Sequence, residues 1–409
     1  MAQDEGNPSL YVVPETLVSF YNLASAKGDA SVVQAAIEFQ GVPAFVQKDI
    51  DTFTTNCAVA PIKIAKTVGT FEKQDFAESV LDVSFLGSVG QGNTNWYWTN
   101  AQWMYDYTET LVGTSAADIP DVNSMSYGWS ETDQCQIAPS SKPCENGGSA
   151  AFVAAVNTNF QKIGAMGKTF TVATGDSGAH GRTDGGCATT AVHPAFPAAS
   201  PYLTAVGATM VPDGQVQTGF KAPVCKTIQC LGAGVETVCS KAQGALITSG
   251  GGFSAYSPAQ KYQQSEVQAY LADSSNLPPA GAFNASGRGF PDVAALGHQY
   301  YIELNGEVVA VDGTSASCPV NAGVLALINA ELVRQNKPKL GFANPTIYAV
   351  AKANPKAFNG ENTNSNRIDL NHVMQWYENA ADASSSYHGV DTPPLPFYSL
   401  CGCPRVEYQ

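Results

Sequence analysis

Short apolar runs alternate with helical patterns through most of the 409 residues, and this alternation limits the fold more than any other feature. Asn123–Tyr127, Phe170–Ala173 and Leu203–Val206 read as buried strands. Between the first two lies Ala150–Ile163, whose Phe152, Val156, Phe160 and Ile163 recur at helical spacing. Strands separated by helices predict an α/β fold with a parallel sheet covered by helices on both faces. A second helix is predicted over Pro319–Gln335, with Val324, Leu325, Leu327, Ile328 and Leu332 as its apolar stripe and Pro338 just past its end. No internal repeat or long linker interrupts the pattern, so 1–409 reads as a single domain. From Gly360 onward the chain is rich in Asn, Ser, Asp and Ala without strong periodicity, and a loop-dominated part is expected there.

Composition narrows the function. The net charge is −14, which repels a phosphate backbone and excludes nucleic acid as a natural partner. No stretch approaches the roughly 18 apolar residues of a membrane-spanning helix. Met1-Ala2-Gln3-Asp4-Glu5 is polar and acidic, unlike a secretory signal. The ten cysteines fit no zinc spacing, and Cys135 and Cys144 bracket a short polar loop. A disulfide set, formed in a secreted or lysosomal setting, is the expectation, with the pairing open.

Four strings can carry chemistry. In Val311-Asp312-Gly313-Thr314-Ser315-Ala316-Ser317-Cys318-Pro319 a glycine turn is followed by a serine, and a helix is expected to begin near Pro319. That presents the Ser315 hydroxyl at a helix N-terminus, where developing negative charge is favoured. A serine nucleophile needs a base. His180, His193, His298, His372 and His388 lack the flanking patterns of a histidine triad. Glu78 and Asp82, four apart, share one helix face, and a carboxylate serves as base when its pKa matches the working pH. An ordinary solvated pair has the same spacing, but Val80, Leu81 and Val83 argue for burial. Asp176 sits in a Gly175-Asp176-Ser177-Gly178 turn after an apolar strand, where an open parallel sheet places ligand groups. A protonated Asp there donates to an oxyanion; a plain turn cap is the alternative. Finally, Ser249, Gly250, Gly251 and Gly252 allow close approach of a substrate strand, and no Lys-Ser/Thr follows to make a phosphate loop.

Together these strings resemble the sedolisin family of serine-carboxyl peptidases, and within it the tripeptidyl peptidases. The match also runs through Ser124-Met125-Ser126-Tyr127-Gly128, Phe196-Pro197-Ala198-Ala199-Ser200-Pro201-Tyr202, Val206-Gly207-Ala208-Thr209, Asn284–Val293 and Leu340–Pro345, in the family's order across roughly residues 10–358. The resemblance implies a subtilisin-like fold with a seven-stranded, mostly parallel sheet. It implies Ser315 as nucleophile, Glu78 as general base and acid, Asp82 as its orienting partner and Asp176 as oxyanion acid. It implies a monomer that hydrolyses peptide or protein substrates at acid pH in a lysosomal, vacuolar or extracellular setting. The family is made with a signal and pro-segment; this chain begins where the mature enzyme begins.

The resemblance also implies one structural Ca2+ near the C-terminus. The matching positions are Asn359 and Gly360, with Asn for the usual Asp, and Tyr387, Gly389 and Asp391, with Tyr for the usual first Gly. One carboxylate ligand is lost, although Asn and backbone carbonyls still offer oxygens. Residues 359–409 diverge from the family, and a catalytically impaired, peptide-binding domain is the alternative to an active peptidase.

Overall fold

The computed structural model describes residues 2–4, 10–39, 44–72, 76–184, 191–272, 277–279, 281–354 and 357–358. A central sheet holds seven parallel strands: β1 (Val33–Glu38), β2 (Ile64–Val68), β3 (Thr94–Thr99), β4 (Val122–Met125), β5 (Thr169–Ala173), β6 (Thr204–Met210) and, beyond the short antiparallel β7 (Thr237–Val238), β10 (Val293–Leu296). Their spatial order is β7-β6-β5-β4-β1-β3-β2, with β10 also pairing on β6. Each parallel pair requires a crossover, which is why helices separate these strands in the sequence. Outside this sheet β8 (Gly252–Pro258) pairs with β9 (Gly287–Phe290), and β11 (Tyr300–Leu304) forms a hairpin with β12 (Glu307–Asp312).

The strands alternate between two cores. Ala36 and Tyr97 join one apolar cluster, while Ala35, Ile37 and Trp98 join the other. Helix α1 (Ala77–Val89) and helix α4 (Thr314–Arg334) cover the first face through Val80, Phe85, Val320 and Ala326. Helices α2 (Met104–Val112) and α3 (Lys142–Ala165) cover the second. The expected stripe of α3, Phe152, Val156, Phe160 and Ile163, is fully buried there. Gly323 lets α4 lie against α1: a Cβ at that position would stand 2.9 Å from the Gly90 nitrogen and from Val89.

Helix α4 departs from the sequence reading at its start. It begins at Thr314, not near Pro319, and Pro319 lies inside it. A proline lacks the N–H that would bond the carbonyl four residues earlier, here that of Ser315. The Ser126 hydroxyl lies 3.4 Å from that carbonyl oxygen. α4 is also long and apolar enough to cross a membrane by composition alone, but 67% of its most apolar stretch is buried in protein, so it is no clear membrane span. It is the core helix of this fold.

Among the described residues, disulfides join Cys135 to Cys144 and Cys225 to Cys230, while Cys57, Cys239 and Cys318 are buried thiols. Cys239 therefore stays out of the pairing its neighbours in the sequence make.

Candidate active site

The carboxyl ends of β4 and β5 open onto a cavity of about 270 Å³, with the N-terminal turns of α1 and α4 at its floor. Glu78, Asp176 and Ser315 all line it. Sequence reasoning drew these residues from strings separated by about 100 and 140 positions, and the fold brings them together. This is the place where an open parallel sheet collects ligand-binding groups.

Ser315 is the second residue of α4 and is 4% exposed. The turn ahead of it is pinned by Asp312, which is fully buried and accepts hydrogen bonds from the Leu246 and Gln299 backbone N–H groups at 2.7 and 2.8 Å. His298 lies 2.8 Å from the same carboxylate and is thereby committed to holding the turn.

Glu78 and Asp82 occupy successive turns on one face of α1, as their spacing predicts. Both are buried, at 8% and 0% exposure, so the pair is no solvated surface face. Burial raises the pKa of Glu78; the neighbouring Asp176 adds to this, while a hydrogen bond with Ser315 and the charge of Arg182 oppose it. Burial raises Asp82 well above the usual carboxyl range, and the nearby Glu38 and Glu78 push it further. Carboxylates this close cannot all ionise in a low-dielectric site, so the group retains protons. Glu78 Oε1 and Asp82 Oδ2 are both buried without a hydrogen-bond partner among the described residues.

Three participants escaped the sequence reading. Ser126 donates to Asp82 Oδ1 at 2.9 Å. Tyr127 donates to Glu38 Oε2 at 2.6 Å. Glu38 ends β1, is fully buried, and has its pKa pushed up to about 8 by burial, with Glu78 adding to the effect. Glu38, Asp82 and Glu78 thus lie close enough to raise one another's pKa, with Tyr127 bonded to Glu38 and Ser315 to Glu78. Ser126 and Tyr127 stood inside a quoted string, and Glu38 had one available signal: a carboxylate at the carboxyl end of a parallel strand.

Asp176 follows β5 and accepts the backbone N–H and the hydroxyl of Thr314 on Oδ1. Burial acts to raise its pKa, while the two Thr314 donors act to lower it. Asp176 Oδ1 is an acceptor in this arrangement.

The glycine run behaves unevenly. Gly251 lines the cavity. Gly250 packs against the protein's own chain: its N–H donates to the Gly175 carbonyl at 2.7 Å, and a Cβ there would stand 2.2 Å from the Thr174 oxygen. Ser249 is buried and accepts the Ala208 N–H at 3.0 Å. Gly252 opens β8. Asn284, in the sequon Asn284-Ala285-Ser286, spends its amide on the Ser254 and Ala255 carbonyls at 3.1 and 3.4 Å. The positions proposed for calcium, Asn359, Gly360, Tyr387, Gly389 and Asp391, lie outside the described residues. Among the described residues no group of three His, Cys, Asp or Glu side chains is placed to hold a metal.

Residues 79–340 match the subtilase family. The chain is 36% identical to physarolisin of Physarum polycephalum over 392 residues, which span 94% of this chain and 67% of that protein. The chain belongs to the sedolisin family of serine-carboxyl peptidases. It is 32% identical to tripeptidyl-peptidase 1 of Mus musculus over 374 residues, covering 85% of this chain but only 57% of that protein. Among solved structures, the Pseudomonas sedolisin complex with pseudo-iodotyrostatin superposes with a TM-score of 0.63 at 20% identity, over 88% of this chain and 91% of that one. That likeness supports the subtilisin-like fold of this sedolisin, with its seven parallel strands.

Proposed function

We propose that this sedolisin is an acid serine peptidase in which Ser315 attacks the peptide carbonyl while Glu78 takes its proton. The observation that carries the reading is the burial of Glu78 and Asp82 beside Ser315, with both carboxyl pKa values raised. A base must be near its titration point to work in both directions. Glu78, tuned by burial and hydrogen-bonded with Ser315, accepts the hydroxyl proton as the Ser315 Oγ–carbonyl bond forms. Asp82, oriented by Ser126, keeps Glu78 in place and takes up part of the displaced charge.

The carbonyl oxygen becomes an oxyanion beside Asp176. Negative charge arriving there raises the Asp176 pKa, so the resting acceptor gains a proton in acid and becomes a donor to the oxyanion. Glu78 then returns its proton to the leaving amine, and the acyl-enzyme remains on Ser315. Water, deprotonated by Glu78, attacks the ester and releases the acid. No step needs a histidine, and none is routed through a metal. A calcium ion held by Asn359, Gly360, Tyr387, Gly389 and Asp391 would serve structure alone.

The substrates are peptides, and release of tripeptides from free N-termini is the preferred mode, supported by the likeness to tripeptidyl-peptidase 1. The disulfides and the carboxyl groups raised by burial suit a lysosomal, vacuolar or extracellular acid compartment. The alternative of an impaired binding domain is not favoured, because all four expected side chains are present and three share one cavity.

The test is hydrolysis of peptides at roughly pH 3–5, the range where unperturbed carboxyl groups titrate, by wild type and Ser315→Ala. Cleavage by wild type and none by the variant is expected. Equal rates would remove Ser315 from the mechanism, and a folded but inactive wild type would favour the binding domain. Blocking the substrate N-terminus should abolish cleavage; continued internal cleavage would indicate an endopeptidase.

A further inference from the structure

Glu131 is a fully buried carboxyl group that the proposed chemistry does not use. It follows the cavity-lining residues Trp129 and Ser130, and its backbone N–H donates to the Pro194 carbonyl at 2.8 Å, between the cavity-lining His193 and Ala195. Its side chain points the other way, into β8. Oε1 accepts the Ser254 hydroxyl and Oε2 the Ala255 N–H, each at 2.6 Å.

The ladder shows why β8 needs this carboxylate. β8 pairs with β9 at Gly252–Phe290 and Phe253–Gly289, then loses register until Pro258–Gly287. Residues 254–257 therefore leave the ladder, and their N–H groups bond elsewhere. Ala255 finds Glu131. The Tyr256 and Ser257 N–H groups find the Ser254 hydroxyl at 3.2 and 2.7 Å, and that hydroxyl is itself anchored on Glu131. The carbonyls of Ser254 and Ala255 are held separately by Asn284. One carboxylate thus ends the network of donors in the bulge, three to four residues from Gly251 at the cavity wall.

We propose that Glu131 is a positioning residue for substrate binding, fixing the Gly251–Ser254 edge against the opposite wall at Ser126–Ser130 so that the acyl side of a peptide is gripped between them. This rests on the peptidase reading above. Removing Glu131 leaves Ser315, Glu78, Asp82 and Asp176 in place but frees the bulge. The loss should fall on binding of extended peptides more than on the bond-breaking step.

The test measures KM and kcat for a tripeptide-releasing substrate, and Ki for peptides of one to four acyl-side residues as competitive inhibitors, using wild type, Glu131→Ala and Glu131→Gln, with Tm recorded for each. Glu131→Ala should raise KM for the tripeptide substrate and Ki for the three- and four-residue peptides about tenfold or more, the usual cost of losing two buried hydrogen bonds. Ki for the one-residue peptide and kcat should move by less than about threefold, below the cost of one such bond. Glu131→Gln, which keeps an acceptor for Ala255, should recover much of the loss. Ser254→Ala carries the same expectation if Glu131→Ala does not fold. A loss equal at every peptide length, or no change, overturns the proposal whatever happens to Tm. Inactivity of wild type would sink the peptidase reading alone. In that case the same peptides are titrated against Ser315→Ala with and without Glu131→Ala: weaker binding of the longer peptides supports the clamp, and equal binding refutes it.

Discussion

Thr314 donates both its backbone N–H and its hydroxyl to Asp176 Oδ1, at 2.8 and 3.0 Å. The residue immediately before the nucleophile thus favours the ionised form of the group expected to face the oxyanion. The Thr314 hydroxyl in turn accepts the Gly175 N–H at 3.0 Å, closing a small ring between the β5 turn and the start of α4.

Thr314→Val removes one of the two donors. Those donors favour the carboxylate and lower the Asp176 pKa. Losing one raises it, so the protonated donor form persists to higher pH. The alkaline limb of kcat against pH should move upward, with a drop in kcat of about tenfold for the disturbed geometry. An unmoved limb would detach Asp176 from the rate-limiting chemistry.

Asp82→Asn preserves shape and an acceptor for Ser126 but removes the ionisable group beside Glu78. A fall in kcat of about 10²-fold or more is expected, as for loss of acid–base catalysis, with KM little changed. Steady-state kinetics beside a circular dichroism spectrum would separate this from misfolding. A variant that loses affinity and keeps its kcat contradicts the assigned role.

Stability should be highest in acid. Glu38 is raised to about 8 from an ordinary value of 4.5, chiefly by burial, and Glu131 to about 7 for the same reason. A raised carboxyl pKa means that the folded chain binds the proton more tightly than the unfolded chain. The stability from each group is complete below about pH 4.5 and is lost as pH climbs to 8 for Glu38 and 7 for Glu131. Each contributes a slope approaching about 1.4 kcal/mol per pH unit in that window. Urea unfolding at several pH values should show this decline, and Glu38→Gln should make it shallower. A wild type equally stable at pH 4.5 and 8 is the opposing result.

Much of this was legible in the sequence. The 3.6-residue spacing of Phe152, Val156, Phe160 and Ile163 predicts the inner face of α3, and the spacing of Glu78 and Asp82 places them together on α1. Local periodicity determines such features directly. The start of α4 differs from the sequence expectation because Pro319 is tolerated inside the helix: its missing bond falls on the Ser315 carbonyl, which lies near Ser126 just past β4. The contacts of Glu38, Tyr127 and Glu131 were not legible. Their partners lie tens of residues away, so only the sheet order brings them together. The run Ser249–Gly252 looked uniform in sequence, yet Gly250 serves the protein's own packing while Gly251 faces the cavity.

The central claim is that a buried carboxyl group, not a histidine, drives Ser315. The most direct measurement is kcat/KM against pH from acid to neutral for wild type and Glu78→Gln on one peptide. The account predicts an acid optimum in wild type and a loss of about 10²-fold or more throughout the profile in the variant, which cannot accept the serine proton. A wild-type optimum near neutrality, retained when Glu78 becomes Gln, would contradict it.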